Sequence, residues 1–375
     1  METISLAISS VADLMVRYKP CPTNPAGFAF LVHPRNISDI YRKYPLLRYL
    51  PKSFIKFMLA HFFWPVTVSY IQGVHNLNGQ RNIPGWIISL PITAEQMIAD
   101  RKLAKKFINK AVLLAQKRGA RVIGLGALIS PITNGGIDLK REHEVGFTTG
   151  NALTVGMTLK GITRVLALKN MRNEKLIFAV VGATGSIGQA VCQLLLRDRY
   201  TRHILAVGKT AAHLNELANK LSSAYKEVSI STFTDIKSVK NADIIIMATS
   251  STEVLLSKDN LKNGVIIYDI TQPQNVSLSL QEERKDVIVI DGGVVKLPEN
   301  IKYNFNIGTP EGTTFACLAE TMIVAAEGME DFSLGKVRIE HVDKIMELAK
   351  RYNFQLAPLR SWGKIINEYD HKWNY

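Results

Sequence analysis

The stretch Phe178–Leu196, F-A-V-V-G-A-T-G-S-I-G-Q-A-V-C-Q-L-L-L, decides the fold. An apolar run short enough for a buried strand ends at Gly182, and beyond Gly188 apolar residues recur at helical spacing, so the glycines fall at a strand-to-helix turn. At such a turn Gly182 takes the tight bend and Gly185 lets the amides of Thr184, Ser186 and Ile187 approach a pyrophosphate. Gly188 then permits the helix to pack closely on the strand. The context predicts an α/β chain with a Rossmann-type dinucleotide-binding domain.

The second strand of that domain reads H-I-L-A-V-G-K-T, His203–Thr210. It places Lys209 about 20 residues past the glycine loop, where an NAD site usually carries an acid for the ribose hydroxyl. A carboxylate would repel the 2'-phosphate of NADP, whereas Lys209 pairs with it, helped by Thr210 and His213. NADPH is therefore the expected cofactor; the alternative is a solvated surface lysine. Further along, Thr249 and Ser250 close the strand Ala242–Thr249 at its carboxyl end, where open α/β sheets bind ligands. Two more strands, Val265–Ile270 and Val287–Gly293, end in Asp269 and Asp291. Gly292 and Gly293 would let the chain pass close to a nicotinamide, or simply turn it.

Working outward, the 375 residues are enough for two or three domains. The spacing predicts an N-terminal α/β substrate domain over 1–150, the NADPH-binding domain over 151–298 and a C-terminal helical region over 299–375. In the first, a strand at Phe28–Val32 and another at Trp86–Leu90 precede a helix from Thr93 to Lys117 and a strand at Arg121–Leu128. Lys102, Lys105, Lys106 and Lys110 make one face of that helix basic. It is a solvated face or a dock for an acidic protein. The run F-T-T-G-N, Phe147–Asn151, opens a helix to Lys169, with Thr148, Thr149 and Asn151 read as caps or cleft residues.

Lys and Arg total 46 against 32 Asp and Glu, a net charge of +14, which favours an acidic partner or an anionic surface. The basic residues flank apolar runs and no nucleic-acid module is present, so nucleic acid is not an expected partner. Cys21, Cys192 and Cys317 are too few and scattered for a disulfide framework or a zinc site. The acid at Glu2, where a signal peptide carries bases, does not indicate secretion, and the few scattered cysteines make a reducing cytoplasm the expected compartment. From Tyr41 to Ile71 a basic stretch with Arg42, Lys43, Arg48, Lys52 and Lys56 runs into F-M-L-A-H-F-F-W-P. This segment is read either as a peripheral membrane contact or as a core helix followed by a core strand.

The chemistry is expected in Gly308–Gly328. Pro310, Gly312 and the threonines read as a helix start capped by Thr313 or Thr314, with an apolar helix running to Gly328. Cys317 then falls in the first turn, where free amides and the helix dipole would stabilise a thiolate and an oxyanion. The competing reading is a small core thiol. Glu320, one turn on, would manage a proton or face a basic neighbour. Cys192 is expected to pack against the sheet.

Five stretches carry a family resemblance: Phe147–Asn151, Val180–Cys192, Asp291–Val295, F-A-C-L-A-E at Phe315–Glu320 and E-G-M-E-D-F-S-L-G at Glu327–Gly335. Over roughly Ile83–Leu359 the chain resembles the aldehyde-forming long-chain acyl-acyl-carrier-protein reductases. The resemblance implies that Cys317 takes the acyl group and that the glycine loop holds NADPH. It also implies an acidic acyl carrier protein or a coenzyme A thioester as partner and a fatty aldehyde as product. The proton donor at aldehyde release is left among Glu320, His143 and water. The second strand departs from the family, with V-G-K-T where T-A-R-N is the pattern. The first 80 residues and the extension Ser361–Tyr375, with Trp362 and Trp373, lie outside the match. Two other classes share the plan: a shikimate-type dehydrogenase acting on a small ketone, and a non-catalytic NADP-binding membrane or interaction protein.

Overall fold

Runs of Val, Ile, Leu and Phe with no polar alternation make strands that must be covered on both faces, and this chain builds two such sheets. In the computed structural model the chain forms two compact units. One comprises the chain up to Gly150 with Leu297–Gly335 and Glu347–Phe354; the other comprises Asn151–Lys296, Lys336–Met346 and Gln355 onward. The structure describes residues 11–171, 175–251, 255–272, 274–304 and 308–366. The opening stretch Met1–Ser10 and Trp373 lie outside the described residues.

The first unit's sheet uses β1 (Gly27–Val32), β2 (Val66–Gln72), β3 (Gly85–Ser89), β4 (Ala120–Leu125) and β5 (Gly146–Thr148). Their order is β2-β3-β1-β4-β5, with a short strand Lys302–Tyr303 outside β2. β1 runs parallel to β3 and β4, and β4 to β5, whereas β2 is antiparallel to β3. Side chains alternate across a strand, so Ala29 and Leu31 face one side and Phe30 the other. Ala29 and Leu31 join the core beneath helix Arg101–Lys117, which buries Ala104, Phe107, Ile108, Ala111 and Val112 against it. On the opposite side, a Cβ on Gly124 would meet Thr321 Oγ1 at 2.1 Å and Phe30 Cδ2 at 2.6 Å. Helix Ala316–Ala326 therefore lies on that face.

The helix expected over Thr93–Lys117 is two helices. Thr93 and Gln96 form a capping box on Ala94–Ala99, and Asp100, extended at φ −134°, ends that helix and caps Arg101–Lys117 through a bond from the Leu103 amide. The segment after Tyr41 also differs from a core helix. Helix Lys52–Phe62 buries only Ile55 and Leu59, while β2 behind it is largely buried. Among the described residues no helix is long and apolar enough to cross a membrane.

The second unit carries β6 (Ile177–Val181), β7 (His203–Val207), β8 (Ser229–Phe233), β9 (Ile244–Met247), β10 (Ile266–Asp269) and β11 (Ile288–Asp291). All pairs are parallel, in the order β11-β10-β9-β6-β7-β8. Counted within the unit this is the 3-2-1-4-5-6 arrangement of Rossmann-type domains, whose ligand crevice opens where the order reverses, between β6 and β9. Helix Asn151–Leu168 packs closely on this unit, since a Cβ on Gly161 would fall 2.0 Å from the Tyr268 hydroxyl. Cys192 is fully buried, as expected of a thiol packed against the sheet.

In the first unit one buried ion pair ties an early residue to the sheet. Asp13 accepts from the Thr67 amide and hydroxyl at 2.6 and 2.9 Å and from Arg118 Nε and Nη2 at 2.9 and 2.6 Å. Removing one partner of such a pair strands the other charge in low dielectric. Asp13→Ala should lower unfolding stability by about 3 kcal/mol, measured by urea denaturation at neutral pH; a change no larger than that of a surface substitution would refute this role.

Candidate functional site

The nucleotide loop is fixed by its own backbone. Gly182 sits at φ +86°, and its amide and that of Ala183 both donate to the Val207 carbonyl at the end of β7. A Cβ at Gly182 would lie 2.6 Å from the Ala248 carbonyl oxygen, and one at Gly188 would lie 2.2 Å from the Gly182 oxygen. Both positions demand glycine for different reasons, the first for the turn and the second for helix-on-strand packing. Gly185 precedes helix Ser186–Arg197 as its N-cap without a side-chain cap. The amides of Thr184, Ile187 and Gly188 have no acceptor among the described residues. These are the orphan donors that a helix start offers to a phosphate. Ser186 also holds the unit together, its hydroxyl accepting from the Val337 amide at 3.0 Å.

The other sequence candidates fall around this loop. A Cβ on Gly208 would stand 3.4 Å from Thr184 Oγ1, so the loop touches the end of β7, immediately before Lys209. Lys209 and Thr210 are exposed, and Lys209 forms no ion pair among the described residues. Thr210 is the N-cap of helix Ala211–Ala224 but makes no side-chain cap bond. Thr249 is half-buried beside Gly182, and its hydroxyl accepts from the Ser251 amide; Ser250 is exposed. Gly292 answers to packing, since a Cβ there would meet Ile270 Cγ2 at 2.4 Å and Tyr268 Cε1 at 2.5 Å. The strand-end acids hold loops. Asp269 accepts from Thr271 and the Asn275 amide, and Asp291 from Gln274 and the Trp362 and Gly363 amides. Orphan amides next to an unpaired cation suit a dinucleotide with a third phosphate, and the cofactor these residues fit is NADPH.

The thiol site lies in the first unit. Helix Ala316–Ala326 begins one residue before Cys317, which is thus in the first turn. The expected threonine cap is absent: Phe315 is the N-cap and has no side-chain cap bond. Thr313–Phe315 is instead a short strand, because Thr313 Oγ1 turns back to the Pro310 carbonyl at 2.6 Å. Facing the cysteine is Gly150, at φ +73°, where a Cβ would fall 2.2 Å from Cys317 Cβ and 2.3 Å from its Cα. Only a glycine backbone can lie there.

One turn on, Glu320 is fully buried, and its Oε1 accepts from Thr148 Oγ1 and Ser333 Oγ, both at 2.6 Å. Thr149 Oγ1 donates to the Ser333 carbonyl at 2.7 Å, and Ser333 itself is held at φ +49°. A non-glycine residue in that region is a strained conformation that its bonds must sustain. The segment carrying Ser333 is laid along β5 by the Phe332 amide on the Phe147 carbonyl and by Asp331 on the Phe147 amide. F-T-T-G, F-A-C-L-A-E and the end of E-G-M-E-D-F-S-L-G thus meet around Cys317 and Glu320. Sequence reading did not find Ser333; its only signal was a lone serine in a motif with no obvious chemistry.

Cys317 keeps some exposed surface, yet burial pushes its thiol up to about 12. The backbone amides of Leu318 and Cys317 pull the other way, and Glu320 adds to the rise. A helix start was expected to stabilise the thiolate, but desolvation outweighs it here. Two buried hydroxyls lie near, those of Tyr303 and Thr314; burial and, more weakly, the neighbouring Cys317 push the Tyr303 phenol up, while Thr314 beside it pulls the other way. His143, by contrast, is engaged with Asn109 at 3.1 Å.

The Shikimate / quinate 5-dehydrogenase family model matches residues 165–292, inside the second unit. The chain is similar to the aminotransferase PigE of Serratia sp., 28% identical over 76% of this chain and 33% of that protein. It is likewise similar to the long-chain acyl-[acyl-carrier-protein] reductase of Synechococcus elongatus, 28% identical over 69% of this chain and 79% of that one. A glutamyl-tRNA reductase of Christiangramia forsetii is 26% identical over 50% of this chain and 42% of its own length. The chain therefore spans about a third of PigE and most of the cyanobacterial reductase. These are distant similarities, and they agree with the Rossmann-type NAD(P)-binding domain seen in the second unit.

Two outcomes follow from this geometry. Lys209→Ala should weaken NADPH binding by about tenfold, the value of one charge-assisted pair, and leave NADH binding unchanged in fluorescence titrations; equal losses for both would remove Lys209 from the 2'-phosphate. Because the thiol sits near 12, alkylation of Cys317 by iodoacetamide in the Cys21→Ser chain should rise with pH across 7 to 10, about tenfold per unit. A plateau below pH 8 would show a thiolate already formed.

Proposed function

We propose that this chain is an NADPH-dependent acyl-thioester reductase that releases a long-chain aldehyde through an acyl group carried on Cys317. The observation that carries the reading is the convergence of three separated motifs on that thiol, with the Gly150 backbone against Cys317 and Glu320 locked by Thr148 and Ser333. A core thiol needs no such surround. The acyl-[acyl-carrier-protein] reductase and the glutamyl-tRNA reductase among its relatives support reduction of an activated carboxyl group. The dehydrogenase family model, confined to 165–292, speaks to the nucleotide unit and not to a small-ketone substrate.

In this reading Cys317 loses its proton as the thioester enters and attacks the carbonyl carbon. The new C–S bond forms, the tetrahedral oxyanion is held by amides of the helix start, and the carrier thiolate leaves and takes up a proton. The glycine loop would hold NADPH, which would supply a hydride to the acyl carbon. Breakage of the Cys317–carbon bond then releases the aldehyde and returns the thiol. Glu320, committed to Thr148 and Ser333, positions the helix start rather than carrying the proton, and the phenol of Tyr303, which neighbours Cys317, serves as the donor. A net charge of +14 suits an acidic acyl carrier protein, and its binding should weaken with salt.

Incubated with a long-chain acyl carrier thioester and no NADPH, the wild-type chain should gain the mass of one acyl group on Cys317, and added NADPH should discharge it as aldehyde. Cys317→Ser should do neither while binding NADPH normally. Aldehyde release by that variant, or turnover of a small ketone that ignores the thiol, would overturn the proposal.

A further inference from the structure

The most unusual surface of the molecule is the helical segment before β2. Soluble helices turn apolar residues inward, but Lys52–Phe62 turns its phenylalanines outward as well. Only Ile55 and Leu59 are buried, in a small cluster with Ile40, whereas Phe54 and Phe57 are exposed and Phe62 is 64% exposed. The preceding turn adds Leu46 and Tyr49, 79% and 81% exposed, and the following one adds Trp64. Large aromatics scattered singly on a surface are ordinary; this many within one short segment form a patch that marks an interaction site.

Charge identifies the occupant. Between Asp39 and Glu95 the chain holds Arg42, Lys43, Arg48, Lys52, Lys56 and Arg81 and no acidic residue, and of these Lys56 is paired with Glu95 at 2.7 Å. Two further cations stand at the base of the patch, Lys110 Nζ at 3.7 Å and the Arg17 guanidinium at 4.7 Å from the Trp64 ring centre. Burial, with crowding by Lys106 and Arg17, lowers the Lys110 pKa. A second copy of this chain would set the same positive charge against itself in a two-fold contact. An acidic soluble partner matches the charge but leaves this many aromatics without a reason. Aromatics outermost with cations around them is the composition of a segment lying in the headgroup region of a bilayer.

We propose that Lys52–Phe62, with the turns at Leu46–Leu50 and Phe63–Trp64, docks this chain on an anionic lipid bilayer without crossing it. The inference is independent of the chemistry at Cys317 and is read without turnover.

The test is co-sedimentation of the full chain with vesicles of phosphatidylcholine alone or mixed with phosphatidylglycerol. The wild-type chain should pellet with the mixed vesicles and partition at least about tenfold less onto neutral ones. Phe57→Ser with Phe62→Ser, both exposed and outside the core, should cut binding to the mixed vesicles by about tenfold or more, and Lys52→Glu by about fivefold. NADPH titration of each variant confirms that the chain is folded. Three results would overturn the proposal: failure of folded wild-type chain to pellet, unchanged pelleting of the double Phe variant, or a variant that instead dissociates a dimer or loses binding to an acidic carrier protein while vesicle binding is absent.

Discussion

A carboxyl group with no exposed surface has to be surrounded by donors, and Glu320 obtains two of them from Thr148 and Ser333, far apart in the chain. That requirement orders its neighbourhood. Thr148 ends β5, Ser333 must adopt a left-handed backbone to reach the carboxylate, and Gly150 is drawn against the first turn of the helix. Helix Ala316–Ala326 is thus located by its polar residue as much as by its apolar ones. Substituting Glu320 by an apolar residue would take the acceptor away from two buried hydroxyls and leave them only the weaker bonds between Thr148, Thr149 and Ser333.

The same neighbourhood decides the state of Cys317. A helix start favours a negative charge by about 0.3–1 kcal/mol, whereas one pKa step is worth about 1.4 kcal/mol. With the thiol moved from 9.0 to about 12, the helix effect is too small to prevail against burial reinforced by Glu320. Burial thus favours the thiol over the thiolate in the resting protein. In the proposed reaction, activation belongs to substrate entry and not to the resting state.

The nucleotide unit was legible because strand and helix periods change at a marked point, Gly182 to Gly188, and because a basic residue stands where an acid is usual. β8 was not: Ser229–Phe233 is an edge strand of S-I-S-T-F with no fully buried residue, so it carries little apolar signal. The break at Asp100 was hidden because Asp serves equally as a helix-surface residue and as a cap. Cys317 was placed correctly in its first turn, yet the cap was misassigned, since a threonine near a helix start can bond backward instead, as Thr313 does to Pro310. Nothing local could pair Glu320 with Ser333. That pairing depends on how distant segments return to β5, a tertiary property without a period.

The first sheet also has a history written into its order. The helix that covers Phe30 and Gly124 comes from Ala316–Ala326, nearly two hundred residues after β4. A ribosome making this chain delivers β1 to β5 and then all six strands of the nucleotide sheet before that helix exists. One side of the early sheet must wait bare through most of translation, a period during which chaperone occupancy would guard an otherwise sticky nascent surface.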